Sequence, residues 1–187
     1  MDEVIKIHHN LDFDYSSNLN WYTGLYLGLP RVFMSVVRKK LIYHQNIESI
    51  LIPLHIVKDP ITGKQISINI TDRYFFVGTK MEVGSEEDVG LRSHTNTITL
   101  LRNGADSQKP SKITTGEIKE VIRNHVHKRR TIIQDDVTVA IIAGTFKDWF
   151  GKVEARTDNP ENVRIKFTSD NYDYTTDMPT ILCKATC

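Results

Sequence analysis

The sequence predicts an α+β fold in two parts: an N-terminal sandwich of a mainly antiparallel sheet with helices over residues 20–127, then a small five-stranded β-barrel over residues 137–187. Three observations lead there. Short runs of β-branched and aromatic residues recur between turn residues, as half-buried strands require. Two longer stretches space their apolar residues by three or four, the period of a helix with one buried side. Beyond Asp136 the helical spacing stops and turn residues recur roughly every ten positions, the texture of a small barrel.

Residues 1–19 read as an arm, with a short apolar patch (Val4, Ile5, Ile7), then His8-His9 and an Asp/Ser/Asn-rich stretch. Trp21 to Leu27 is a strand that ends at Gly28 and Pro30. Pro30 is suited to open a helix, because its missing N–H would have no partner in a first turn. Over Arg31–His44, Phe33, Val37 and Leu41 share one side while Arg31, Ser35, Arg38 and Lys39 lie on the other, an amphipathic helix with a basic outer face. Ile50–Leu54 is a short strand. Asp59-Pro60 and Thr62-Gly63 then separate two β-rich pieces, Leu51–Val57 and Gln65–Ile70, as a hairpin or a long loop.

Tyr74–Val77 reads as a buried strand that continues past Gly78 through the alternation of Thr79, Met81 and Val83 with Lys80 and Glu82. Ser85–Arg92 has the spacing of a short capped helix, and Ile98–Leu101 is a strand ended by Asn103-Gly104. Thr114/Thr115 followed by Glu117 start a second main helix, with Ile118, Val121, Ile122 and Val126 on its apolar side. Residues 128–136, with Lys128-Arg129-Arg130 and Gln134-Asp135-Asp136, read as a linker. Four of the barrel's strands read as Val137–Ile142, Lys152–Arg156, Val163–Phe167 and Tyr172–Thr176, separated by Gly144, Gly151, Asn159-Pro160 and Ser169-Asp170-Asn171.

Composition narrows the function classes. With 40% hydrophobic and 25% charged residues the chain can bury a core, which excludes a disordered class. Its apolar runs fall far short of the ~20 residues that span a bilayer. The acidic start Met1-Asp2-Glu3 does not resemble a secretory leader. Cys183 and Cys187, close together at the end, cannot staple a core, which points to the reducing cytoplasm.

The net charge of +1 hides a division. Residues 1–19 hold one Lys against four acids (−3), residues 20–130 hold 17 Lys and Arg against 10 acids (+7), and residues 131–187 hold 6 against 9 (−3). A basic middle between acidic ends suits segments that face different partners. Nothing has the pattern of a nucleophile with His and an acid, a phosphate loop or a carboxylate dyad, and Gly24 with Gly28 is too little for a dinucleotide turn. His125 and His127, two apart on a helix, point to different sides and do not make a metal site. The expectation is a protein without enzymatic activity, cofactor or metal.

From Val139 to Val153 the pattern is an apolar strand, Gly144-x-Phe146, three variable positions, Gly151, and a second strand. Gly144 permits a tight turn, Phe146 folds back as a core plug, and Gly151 lets the chain re-enter the sheet where a Cβ would resist. This segment resembles a KOW motif. It follows, in order, Asn20-Trp21-Tyr22, the helix after Gly28, Ile52-Pro53, Arg73-Tyr74-Phe75-Phe76-Val77-Gly78, Leu91-Arg92-Ser93, Leu101-Arg102-Asn103-Gly104 and Ile113-Thr114-x-x-Glu117-Ile118. The ordered set resembles the N-terminal domain of NusG-type transcription elongation factors, and the resemblance covers residues 20–187. Val77 stands where that family usually carries Pro, and Thr79 where it often carries an aromatic residue.

The resemblance implies a cytoplasmic, monomeric factor that docks on the clamp of the large subunits of RNA polymerase and modulates pausing, processivity, termination or antitermination. The N-terminal domain would make the dock, and a flexibly tethered barrel would recruit a further protein. By position, the polymerase-binding residues would be Trp21, Tyr22, Phe75, Phe76 and Thr79. Read from the residues alone, Trp21 and Phe76 are equally core aromatics.

Arg31, Arg38, Lys39, Lys128, Arg129 and Arg130 have two readings, a solvated charged face or contact with the nucleic acid of the elongation complex. In the barrel, Phe146, Lys147, Trp149 and Phe150 occupy the loop where the family contacts a partner protein. Phe146 is the buried plug and Trp149, at the loop tip, the better contact. A rival reading is a ribosome- or RNA-associated structural protein that uses the barrel on RNA; the acidic balance of residues 131–187 disfavours it.

Overall fold

The alternation of Tyr22, Gly24 and Tyr26 with Trp21, Thr23 and Leu25 builds an interior strand of a sheet, with the Tyr22–Gly24–Tyr26 side buried and Thr23 and Leu25 half-buried on the other. The structure, a computed structural model, describes residues 6–9, 18–41, 46–84, 98–102, 109–156, 159, 161–168 and 173–186, with backbone alone at 6–9, 39–41 and 156. The expected helix at Ser85–Arg92, the turn at Asn103-Gly104 and Cys187 lie outside the described residues.

The chain divides into two compact units, Met1–Leu54 with Asn69–Val121, and His55–Ile68 with Ile122–Cys187. The first holds β1 (Lys6–His9), β2 (Asn20–Tyr26), α1 (Phe33–Leu41), β3 (Ile47–Ile52), β6 (Tyr74–Thr79), β7 (Ile98–Leu100) and the two-residue β8 (Lys112–Ile113). The sheet order is β1-β3-β6-β2-β7, with β8 also paired to β2. All pairs are antiparallel except β1 with β3, so part of the expected arm is an edge strand with His8 opposite Leu51. Pro30 opens a 3-10 turn, Pro30–Val32, that leads into α1. Phe33 and Val37 bury on Tyr22, Tyr26, Phe75 and Val77. Phe33 lies edge-on to Tyr26, with ring centroids 5.2 Å apart.

The alternation past Gly78 predicts more strand than forms: β6 stops at Thr79. Side chains take over the backbone groups there. Asn46 accepts from the Met81 N–H and donates to its carbonyl, both at 3.0 Å, and the Tyr22 hydroxyl accepts from the Val83 N–H at 2.9 Å. Backbone groups met by side chains have no need of a ladder.

The second unit takes most of a hairpin, β4 (Leu54–Lys58) paired with β5 (Gln65–Asn69). Its sheet is β9 (Thr138–Ile141), β10 (Phe150–Arg156), β11 (Asn162–Thr168), β12 (Asp173–Pro179) and β13 (Cys183–Ala185), in the order β12-β11-β10-β9-β13. Every pairing is antiparallel. Val139, Ile141, Val153, Val163, Ile165, Phe167 and Met178 form one core, against which Val57 and Ile66 of the hairpin pack. Gly151 is needed for space: a Cβ there would meet Ile165 at 2.5 Å and Phe167 at 2.8 Å.

Helix α2 (Thr115–Thr131) begins with a reciprocal capping box, the Thr114 Oγ accepting from the Glu117 N–H at 3.1 Å and Glu117 from the Thr114 N–H at 3.2 Å. Ile118, Ile122 and Val126 are buried, but Val121, expected beside them, is exposed. The expected linker is shortened from its start: residues 128–131 continue α2, and Ile133 is fully buried in the core of the second unit. Lys128, Arg129 and Arg130 fall in the last turn, where cations complement the carbonyl end of the helix dipole.

Candidate protein-contact surface

The loop between β9 and β10 is a built turn. Gly144 takes φ 88° and Asp148 φ 70°, left-handed positions that glycine, and to a lesser degree aspartate, tolerates. The Lys147 N–H donates to the Gly144 carbonyl at 3.1 Å, and the Trp149 N–H to the Phe146 carbonyl at 2.9 Å. At the base, Ile141 and Asp148–Trp149 exchange bonds, Asp148 N–H to the Ile141 carbonyl (2.8 Å) and Ile141 N–H to the Trp149 carbonyl (3.0 Å).

Held this way, Phe146 turns inward and is buried. It stacks on Phe167, with centroids 5.2 Å apart and planes at 16°, and on Tyr174 at 5.8 Å. Trp149 stands edge-on to both Phe146 (5.0 Å) and Phe167 (5.2 Å). Trp149 keeps 41% of its surface in solvent, Tyr174 36% and Phe150 65%. Phe150 starts β10 opposite Ala140, and Ala140 pairs on its other side with the exposed Lys184. The exposed Lys147 and Asp148 flank the aromatic group in the turn. Large aromatics left half in water on a rigid support are what protein contacts use, since they bury area at little entropic cost.

The turn is held from a second place. The carboxylate of Asp59, between β4 and β5, is buried and accepts from the Thr145 N–H and the Thr145 hydroxyl, each at 2.7 Å. It also accepts from the N–H groups of Thr62 (2.9 Å) and Ile61 (3.1 Å) and from the Thr62 hydroxyl (3.1 Å). Burial alone would push this carboxyl up, but the bonds from Thr145, Thr62 and Ile61 together outweigh it and hold the group far below the usual carboxylate range.

Of the sequence-predicted partner residues, Phe146 is the buried plug while Lys147, Trp149 and Phe150 are exposed around it. Tyr174 has no signal in the sequence beyond its place in the expected strand Tyr172–Thr176; the Phe167–Tyr174 register sets it beside the plug. Trp21, Tyr22, Phe75, Phe76 and Thr79 lie on β2 and β6, all 2% exposed or less. The pleat divides them: Trp21 and Phe76 lie on one face, Tyr22, Phe75 and Thr79 on the other. They are the interior of the first unit's sheet and present no common surface. Exposed apolar residues of that unit include Leu27, Leu29 and Val32 around the start of α1. The Tyr26 hydroxyl fixes that stretch by donating to the Leu29 carbonyl at 2.8 Å.

Arg31 and Arg38 are exposed on and before α1, as is Lys128 near the end of α2. The side chain of Lys39 lies outside the described residues. Arg129 and Arg130 are tied down within the second unit. Arg129 donates to the Ile181 carbonyl at 3.1 Å, and burial depresses its pKa. Arg130 lies 3.3 Å from the His55 ring and 4.0 Å from Glu161. Cys183 is buried and its thiol is pushed up to about 12 by burial, which makes it unreactive. No helix among the described residues is long and apolar enough to cross a membrane.

Fold and surface together describe a two-unit α+β chain with a partly exposed aromatic turn. Among solved structures, the chain is similar to one described as domain interaction in Thermotoga maritima NusG, at 14% identity and a TM-score of 0.37, over 91% of this chain and 98% of that one. It is also similar to the MjSpt4:Spt5 complex in conformation A, at 15% identity and a TM-score of 0.30, over 89% and 97% of the two chains. Conformation B of that complex gives 18% identity and a TM-score of 0.32, over 88% and 95%. No family model matches the sequence, and no curated protein matches it.

Proposed function

We propose that this chain is a transcription elongation factor of the NusG type, a stoichiometric adaptor that docks on RNA polymerase through its first unit and takes a second protein on the aromatic turn of its second. The observation that carries the reading is the Gly144–Trp149 turn. The KOW-like spacing calls for a plug and an exposed tip, and here Phe146 is buried under a half-exposed Trp149. The ordered motifs of residues 20–118 support the polymerase half. On this reading Trp21, Tyr22, Phe75, Phe76 and Thr79 act as scaffold, and the exposed Leu27, Leu29 and Val32, with Arg31, present the apolar and basic contacts. Such an adaptor acts by mass action, favouring the polymerase state it binds better.

A second reading, RNA contact by the same sheet, draws on the row Lys184–Ala140–Phe150, an exposed aromatic with a lysine across the ladder. One experiment separates the two. Tagged full-length protein is used to capture partners from host lysate at about 150 mM and about 500 mM salt, because phosphate contacts fade steeply between the two. Large polymerase subunits retained at both salts and lost with Leu29→Ser, together with a further protein lost with Trp149→Ala, support the adaptor. Capture of RNA and ribosomal proteins alone, washed away at the higher salt, overturns it.

A further inference from the structure

We propose that Asp59 is a positioning residue for the contact turn, so that the aromatic surface is a joint product of the hairpin and the C-terminal sheet. This deepens the reading of the turn as a protein-contact site and rests on it.

Two hydrogen bonds at 2.7 Å, from the Thr145 N–H and hydroxyl, cross 86 positions of sequence. They fall on the residue before Phe146, so they set where the chain stands as the plug turns in and Trp149 turns out. Gly144 makes room for them: a Cβ there would lie 2.5 Å from Asp59 Oδ1 and 2.8 Å from Ile66. The carboxylate receives five donors on two oxygens and pairs with no cation among the described residues. An ionised carboxylate accepts only, whereas an asparagine would turn an NH2 toward one of those donors.

The simpler account is that Asp59 only closes its own hairpin turn. The Ile61 and Thr62 donors would suffice for that, and both Thr145 donors would then be incidental. The two accounts differ in what happens at Trp149.

The test uses the full chain and needs no partner. The chain has two tryptophans, Trp21 buried and Trp149 exposed, so iodide quenching of fluorescence reports chiefly on Trp149. Amide exchange at Thr145 reports on the bond itself. Asp59→Asn and Thr145→Val should each change Trp149 quenching and speed amide exchange at position 145, in Asp59→Asn by about tenfold, the factor carried by one charge-assisted bond, whereas Thr145→Ser, which keeps the hydroxyl donor, should leave both readouts as in the unsubstituted chain.

Thr62→Val, which removes a donor on the hairpin side alone, should leave Trp149 unchanged. Unchanged quenching and exchange in Asp59→Asn overturns the proposal, as does a Thr62→Val effect on Trp149 equal to that of Thr145→Val. Should Asp59→Asn fail to fold, the Thr145→Val and Thr145→Ser pair decides by itself. Partner capture by Trp149→Ala tests the contact surface separately, so either idea can fail while the other stands.

Discussion

Phe146 stacks on Phe167 with ring centroids 5.2 Å apart and planes 16° from parallel, and this pair carries the edge-on Trp149 above it. The turn that exposes one aromatic residue is thus stabilised by burying another. Plug and tip are two roles within four residues, and substitutions should separate them.

Phe146→Ala should cost about 3–4 kcal/mol of stability, because it removes a buried ring at the centre of the second unit's core. Urea unfolding followed by circular dichroism measures this. A loss below about 1 kcal/mol would mean the ring is not a core plug.

Trp149→Ala should cost less than about 1 kcal/mol, as expected for a side chain half in water, yet abolish capture of the second protein. Tyr174→Ala should weaken capture with a similarly small effect on unfolding. The two measurements, denaturation and capture, should move independently for these residues and together for Phe146.

Gly144→Ala forces a side chain into a left-handed backbone and against Asp59, and should destabilise by about 1–3 kcal/mol. Gly63, with φ 71° but open space around it, should tolerate alanine better. Thermal midpoints of the two variants give the comparison.

Stability should depend on pH through two groups of the second unit. Burial of His55, then the positive charge of Arg130, hold its pKa below the ordinary 6.5, with Glu161 opposing and Arg129 adding to the fall. A base whose folded pKa is depressed contributes fully above its unfolded value and loses that contribution as pH falls. The thermal midpoint should therefore decline below about pH 6.5, and His55→Gln should flatten that limb. Asp59, also depressed, contributes above its ordinary value of 3.8 and is lost only in stronger acid. Asp59→Asn should remove that second, lower limb while leaving the first.

Much of this protein was determined by local patterns. The capping box at Thr114–Glu117, the Pro30 helix start, the alternating strands of the second unit and the Gly144-x-Phe146 turn each depend on neighbours a few residues away, where backbone geometry and side-chain period suffice. The sequence therefore placed the plug and the exposed Trp149.

What it could not place depends on contacts between distant segments. The paired strands β2 and β6 bury Trp21 and Phe76, which the residues alone left open between core and contact. The register of β11 with β12 brought Tyr174 to the plug. Arg129 and Arg130, a basic run in one dimension, became ties to Ile181 and His55. Asp59, which reads as one more turn residue, reached across 86 positions to Thr145. Such pairings are chosen by which assembly buries the most apolar surface with every polar group satisfied, a criterion that only the packed chain can evaluate.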